Sequence, residues 1–516
     1  MISYPPEIVS PMPCAVTEES HAGEVLTSGF EADWGMRLAR FLLFASLTAI
    51  FLLTIAGIWI TWHNDSQLSC PSGVWLALAA DLKSGVFYRP LFGPLGYGGT
   101  RYFPLLFVME AGLTLAGLSA RVAGHIIELL SMITLLGGVY VLLRNLKVAV
   151  WLAVASSVAI LATGPAQFAL VGIRGDVLPA ALNVLGLALC AREWPRFRHI
   201  VVAAILFTLA FSAKETCVFG VAAAVFAFLV SDRRKLAIQL FVGTAAGYGL
   251  VLAAMFLLSG GRAFDVLRAG GMAGAGIRDL ALGPVHLLMA LTHFEPIANA
   301  GLATLGAAAL VAWGRDREAS IAPAFLVGSA AATTLILGTP GTGYNHLIDF
   351  DVAAVVTFTV WASRQGKQYL TFNTAALAII TILAVPPLVH MLRYDDKVPI
   401  REEINKAVRM AGNSGKPLLA ENPLVALEAH QTPYVADLVV FAALNKRDPA
   451  FAEPLWRNLA QKSFGAVVLV FDPETNAGKD WYMHSAFGPG FVEHLQQNYY
   501  PAWKGEATYV YLPRGQ

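Results

Sequence analysis

Charge is scarce in this sequence. Only 14% of its 516 residues are Asp, Glu, Lys or Arg, against roughly 25% in soluble domains. Between Lys147 and Arg192 the only charges are Arg174 and Asp176, in "VGIRGDVLPAAL". A net charge of +1 supplies no basic field and excludes a nucleic-acid partner held by charge. The four cysteines, Cys14, Cys70, Cys190 and Cys217, have no paired spacing, so neither a disulfide framework nor a zinc site is written here. No ligand set has metal spacing. No Gly-rich loop opens a helix as a soluble nucleotide donor would require. Tandem repeats and low-complexity stretches are missing too. The first 36 residues hold no Lys or Arg. That excludes the basic start of a cleavable signal peptide, and the polar composition predicts a disordered tail over 1–36.

What is present is apolar: 56% hydrophobic residues and a mean hydropathy of +0.59. Runs near the ~20 residues that cross hydrocarbon recur from Phe41 to Leu392. They are continuous rather than alternating, which favours helices over barrel strands. The expected fold is a polytopic all-α membrane protein of about eleven spans. These fall near 39–62, 122–143, 148–168, 177–191, 199–213, 216–231, 236–259, 297–313, 320–338, 350–363 and 369–392.

Arg37 and Arg40 before the first span make the tail cytoplasmic by the positive-inside rule. The same rule then places Arg144/Lys147, Arg192/Arg196/Arg198, Arg233/Arg234/Lys235, Arg315/Arg317 and Arg364/Lys367 inside. This holds only if 103–120 lies at the interface instead of spanning. The membrane domain is thus 37–392, with a large first outer loop over 63–121. From 393 to 516 helical periodicity alternates with short β-rich runs such as "VVLVFDP". That predicts a small extracytoplasmic α/β domain.

In this topology the costly polar residues gather on the outer side. The first loop carries Asp65, Asp81, Lys83, Tyr88, Arg89, Tyr97, Arg101, Tyr102 and Arg121. Arg174 and Asp176 mark the second outer turn, Lys214 and Glu215 the third, and Arg262, Asp265 and Arg268 the fourth. The fifth holds Tyr344, Asn345, His346, Asp349 and Asp351. Charges at this depth are expensive unless paired or watered, so the pattern predicts a polar cavity capped by the first loop. Arg and Lys at the interface suit a lipid-linked phosphate, and carboxylates beside them suit a general base. Plainer readings stand beside these. Asp176 fits a helix-start device, Lys214–Glu215 a neutralising pair, and His346 a satisfied loop histidine. His125 and Glu128 fit a structural contact on one helix face.

The order of segments resembles a known family. A first span precedes a loop with "ALAADLKSGVFYRP" and "TRYFPLLF". Then come "RGDVLPAALNVLGLAL", "AKETCVFG", "GTGYNHLIDFDVAAVV" and an outer domain opening "PLLAENPLVALEAHQTPYV". Over about 37–510 this is similar to the GT-C superfamily of membrane glycosyltransferases, in the bacterial branch of protein O-mannosyltransferases and lipid A aminoarabinose transferases. The resemblance implies a bacterial inner-membrane enzyme in contact with membrane lipids. It implies inverting transfer from a polyprenyl-phosphate sugar to a glycan, lipid or protein acceptor. It also implies an acidic base in the first outer loop, Asp65 or Asp81 here, and a second acid matched by Asp176. The donor phosphate falls to Lys83, Arg89, Arg101, Arg174 and Lys214. Tyr88, Tyr97, Tyr102, Glu215, Tyr344, Asn345 and His346 line the substrate cavity. Some relatives use a divalent ion, although no cofactor is specified by these residues. The departure is at Pro71–Ser72, where relatives carry the acid. A lipid-glycan binder without turnover, or a transporter or flippase, is the alternative.

Overall fold

The computed structural model describes residues 22–515, apart from 273–275, 294–295, 314–319, 340–341, 398–399 and 413–414. Arg315 and Arg317 therefore lie outside the described residues, as does the tail over 1–21. Helix α1 (Ala22–Asn64) begins well before the expected boundary at 37, so 22–36 is helical where composition suggested a disordered tail. Its apolar part, Trp34–Asn64, is long enough to cross a membrane.

The first loop opens with α2 (Cys70–Lys83) and a short hairpin of β1 (Phe92–Gly93) and β2 (Gly96–Tyr97). It closes with α3 (Leu105–Leu115). Its eleven residues rise about 16 Å, and it is one of several short apolar helices.

The bundle continues through α4 (Ala120–Asn145), α5 (Val150–Ala159), α6 (Gly164–Val171), α7 (Val177–Cys190), α8 (Phe197–Ala213), α9 (Phe219–Val230) and α10 (Arg234–Ser259). Then come α11 (Arg262–Met272), α12 (Ile277–Ala281), α13 (Gly283–His293), α14 (Pro296–Val311), α15 (Ile321–Leu337), α16 (Ile348–Ala362) and α17 (Lys367–Lys397). Residues Arg262, Asp265 and Arg268, expected in a turn, ride on α11. Among the described residues four helices are long and apolar enough to cross a membrane, five if the bent pair α5–α6 is one span, beside seven shorter apolar helices. Helix α1 lies along α17, α4 along α7, α7 along α8, and α14 along α16.

The expected single span over 148–168 is broken by 73°. Its cause is local: a 3-10 turn over Ile160–Ala162, then Thr163 capping α6, whose second residue is Pro165. Proline cannot donate to the preceding turn. The break leaves polar groups inside the bundle. Gln167 Nε2 satisfies two of them, donating to Leu161 O at 2.6 Å and Thr54 Oγ1 at 2.7 Å.

The outer domain starts later than 393, because α17 runs on to Lys397. It contains α18 (Ile400–Ala411), β3 (Leu418–Ala420), α19 (Pro423–Glu428), α20 (Leu438–Arg447), α21 (Glu453–Ala460), β4 (Ala466–Leu469), α22 (Asn476–His484), α23 (Phe491–Asn498), β5 (Tyr499–Lys504) and β6 (Tyr509–Pro513). The sheet order is β3-β4-β6-β5, with β3 parallel to β4 and the other pairs antiparallel. Its core packs Phe441, Trp456, Phe464, Phe487 and Phe491 around Tyr97 of the first loop. Tyr97 N donates to Tyr434 O at 2.7 Å, and Ala436 N to Tyr97 O at 2.9 Å. The first loop and the outer domain are therefore one folded layer over the bundle.

Candidate active site

The turn over 172–176 is fixed from three sides. Glu128 Oε1 on α4 accepts the amides of Arg174 at 3.0 Å and Gly175 at 2.8 Å. Trp75 Nε1 on α2 donates to Arg174 O at 3.1 Å, and Ser72 Oγ donates to Gly172 O. Gly175 adopts φ +73°, and a Cβ there would sit 2.7 Å from the Trp75 ring. Only glycine takes this place without strain. Gly175→Ala should cost about 1–3 kcal/mol, read as a lowered thermal midpoint in detergent.

The turn delivers two side chains. Arg174 stacks its guanidinium 4.0 Å over the Phe168 ring, whose other neighbour is Tyr344, with ring centroids 4.8 Å apart. Its Nε is buried with no hydrogen-bond acceptor among the described residues. Arg174 and Phe168 line a cavity of about 240 Å³ between bundle and outer domain, with Cys70, Ile404, Val425 and Val468 on its walls.

Asp176 is 2% exposed. It stands at the start of α7, where a carboxylate suits the helix dipole, but makes no cap hydrogen bond. Instead Lys214 Nζ donates to Asp176 Oδ1 at 2.7 Å, His346 Nδ1 lies 3.1 Å from the same oxygen, and Asn345 Nδ2 donates to Oδ2. Lys214 Nζ also meets His346 Nδ1 at 2.6 Å. An ammonium cannot accept, so Nδ1 accepts and the ring proton sits on Nε2. Lys214 thus pairs with Asp176 and not with Glu215. Asp349, at the start of α16, adds a buried carboxylate whose Oδ1 has no partner among the described residues.

Three further residues close the group. Tyr102 stacks on Trp75 with centroids 4.1 Å apart. Its hydroxyl, pushed up to about 12 by burial, feels Arg101, Asp437, Arg174 and Asp176 together. Burial would lower the Arg101 guanidinium, but Asp437, Tyr102 and Glu215 outweigh it and hold it above its ordinary value. Glu215 is solvent-exposed; desolvation by the neighbouring protein raises its carboxyl, offset first by its own backbone amide and then by Lys214 and Arg101.

The structure therefore brings together Arg101, Tyr102, Arg174, Asp176, Lys214, Glu215, Tyr344, Asn345 and His346. It places the remaining candidates elsewhere. Asp65 is fully buried and bridges Arg121 and Arg401, the latter at 2.9 Å, pinning α1 to α4 and α18. Asp81 is bound by both arms of Arg89, at 2.5 and 2.8 Å, while Arg89 Nη1 holds Pro433 O at 2.7 Å. Lys83 is exposed at the end of α2. Tyr88 donates to Tyr102 O at 2.9 Å from a buried position, and Tyr97 sits in the outer-domain core. Apart from the exposed Lys83, these are struts of the layer, with their polar groups already spent. Asp65→Asn should cost stability, about 2 kcal/mol, read as a lowered thermal midpoint in detergent.

Among the described residues no group of three His, Cys, Asp or Glu could hold a metal ion. The Lys214 ammonium already occupies the approach to Asp176 Oδ1 that a divalent ion would need, so these residues do not fit one.

No family model matches the sequence, and no curated protein matches it. The fold has counterparts among solved structures. The archaeal oligosaccharyltransferase AglB from Archaeoglobus fulgidus, in complex with an inhibitory peptide and a dolichol-phosphate, aligns over 91% of this chain and 74% of its own, at TM-score 0.55 and 12% identity. ArnT from Cupriavidus metallidurans bound to undecaprenyl phosphate aligns over 89% of this chain and 97% of its own, at TM-score 0.57 and 12% identity. Both are GT-C membrane glycosyltransferases. At such identity the likeness is one of fold: this chain shares with these structures its overall architecture, here a helical bundle roofed by a first loop and a C-terminal α/β domain.

Proposed function

We propose that this protein is a membrane glycosyltransferase that moves a sugar from a polyprenyl-phosphate donor to an acceptor at the outer face of a bacterial inner membrane, with inversion. The acceptor is a glycan, lipid or protein. The observation that carries the reading is the Arg174–Asp176–Lys214–His346 cluster, built at one end of the bundle under the first loop of a GT-C fold. AglB and ArnT are seen with dolichol-phosphate and undecaprenyl phosphate respectively, which supports a lipid-linked phosphate as the ligand class here.

Roles follow from the geometry. The fork of Arg174, held flat on Phe168, is oriented for phosphate oxygens. Lys214 adds a second cation, and Asp176 fixes it. The oxygens of Asp176 already accept from Lys214 and Asn345, so it orients rather than takes the proton. Glu215 makes no hydrogen bond to another side chain among the described residues and carries a raised carboxyl; that is the better base. The acceptor oxygen bonds to the anomeric carbon, the carbon–phosphate-oxygen bond breaks, the hydroxyl proton passes to Glu215, and the polyprenyl phosphate leaves. A base works only when deprotonated. Turnover should therefore rise with pH through a value above the ordinary glutamate range, and Glu215→Gln should flatten that limb of the profile.

One observation favours a second reading. At the position where relatives carry an acid, Ser72 donates to Gly172 O and contributes no charge. A chain that binds lipid-linked glycan without transferring it would fit this. Single-turnover release of a labelled sugar from its polyprenyl phosphate carrier decides: release supports transfer, and tight donor binding with no release supports the binder.

A further inference from the structure

We propose that the bundle carries a second binding site, at the end opposite the candidate active site, which holds the phosphate headgroup of an anionic membrane phospholipid. The site is a cavity of about 470 Å³, a size common among ligand pockets. It lies where α7 and α16 end, whereas Asp176 and Asp349 stand where they begin. One helix length, about 21 Å, therefore separates the two sites. The inference does not depend on the donor reading.

Four helices stop at this cavity, and each is followed closely by a cation that lines it. Lys147 follows α4, Arg192 follows α7, Arg233 follows α9 and Arg364 follows α16. A cation after a helix C-terminus answers the helix dipole, and that is the plain reading of each one alone. Basic residues at one end of a bundle also follow from the positive-inside rule. Neither effect gathers four cations from four separate segments around one open volume. Among the described residues the acids on its walls are Glu193 and Asp232 alone. Lys147 and Glu193 form an exposed pair at 3.5 Å, which holds neither head firmly.

The backbone at the rim points the same way. Helices α4 and α9 each close on a left-handed residue, Lys147 at φ +66° and Asp232 at φ +56°. The next amides bond back, Val148 N to Leu143 O at 3.0 Å and Arg233 N to Phe228 O at 2.8 Å. Glycine takes such a position at least cost, yet both residues here carry charged side chains on the cavity wall. Helix α15, unlike the other four, begins at the cavity. Ser320 and Ile321 line it, and the Ser320 side chain makes no cap hydrogen bond. A helix N-terminus favours a phosphate, and arginine forks grip its oxygens two at a time. The rest of the surface is that of a lipid site. Leu146, Phe228 and Ile321 give buried apolar wall, and Trp194 on the lining is largely exposed, as interface aromatics are. Phe226 and Leu229, next in sequence to the lining Ala227 and Phe228, expose apolar surface along which acyl chains can lie. A free phosphate would use the cations and leave that surface bare; a phospholipid uses both.

The test is native mass spectrometry of the purified full chain in detergent, titrated with phosphatidylglycerol or phosphatidylcholine. Wild type should bind phosphatidylglycerol the more tightly. The double variant Arg192→Ala/Arg233→Ala should weaken that binding by roughly tenfold or more while keeping the thermal midpoint; Arg192→Gln/Arg233→Gln serves should alanine disturb folding. The control is Arg234→Ala/Lys235→Ala, which removes two exposed cations of the same end that do not line the cavity. It should bind phosphatidylglycerol as wild type does. Equal affinity for the two lipids, or equal losses in the two double variants, would overturn the proposal, since surface charge alone would then account for binding. Displacement of the lipid by millimolar inorganic phosphate would assign the cavity to free phosphate and overturn it too. If phosphatidylglycerol binding falls in Arg174→Ala and persists in Arg192→Ala/Arg233→Ala, the lipid sits at the candidate active site; this proposal then fails while the donor reading stands.

Discussion

Asp176→Asn should lower sugar transfer by a factor of about 100 or more in a protein that still folds and inserts. The reason lies in what the carboxylate organises. Lys214, Asn345 and His346 come from two different turns and all converge on it. An amide in its place keeps the volume but presents an NH₂ group where one of those donors now points, and it removes the charge that fixes Lys214. An uncompensated ammonium at this depth is costly, so Lys214 would turn toward solvent and leave the phosphate region. His346 would lose its orientation as well, since its Nδ1 contacts both partners. The loss should appear in kcat, with donor affinity reduced less. A transfer assay paired with a thermal midpoint separates this from unfolding, because the turn itself is held by Glu128, Trp75 and Ser72 and not by the Asp176 side chain.

Arg174→Ala carries the second large effect, and it falls on binding. The guanidinium is pre-set by its stacking on Phe168 at 4.0 Å, so little rotamer freedom is lost when a phosphate arrives. Removing it should weaken polyprenyl phosphate binding by roughly 10- to 100-fold. Arg174→Lys should recover only part of this, because an ammonium neither stacks flat on the ring nor offers two parallel donors. Phe168→Leu should give a smaller loss of the same kind, through a fork that is no longer held flat. Isothermal titration or native mass spectrometry of the three variants orders them. Equal affinity in Arg174→Lys and wild type would show that charge alone matters there.

Much of the membrane domain was legible because its signals are local. Apolar runs mark α1, α4, α10 and α17. The break at Thr163 was missed, although "TGP" spells a cap followed by a proline, because hydropathy ignores backbone geometry. In the candidate site, Arg174 and Asp176 stood out as lone charges in an apolar stretch. Lys214, Asn345 and His346 were legible as costly residues at turns on the same side. The first loop misled for a physical reason: a carboxylate in a polar loop reads the same whether it faces a cavity or a strut. Asp65 and Asp81 found arginines, Arg401 being 336 positions away in sequence from Asp65, and no local pattern records such a pairing. Phe168 and Trp75 were missed for the converse reason. An aromatic in an apolar helix looks ordinary until the chain brings it beside Arg174 or Tyr102.

The central claim is that the cluster around Arg174 and Asp176 receives a lipid-linked phosphate. The most direct measurement is the thermal midpoint of the purified full chain with and without undecaprenyl phosphate, for wild type and Arg174→Ala side by side. A ligand that binds only the folded state raises the midpoint with concentration. The account predicts a rise in wild type that is largely lost in Arg174→Ala. An equal rise in both proteins, or none in wild type up to millimolar ligand, would contradict it.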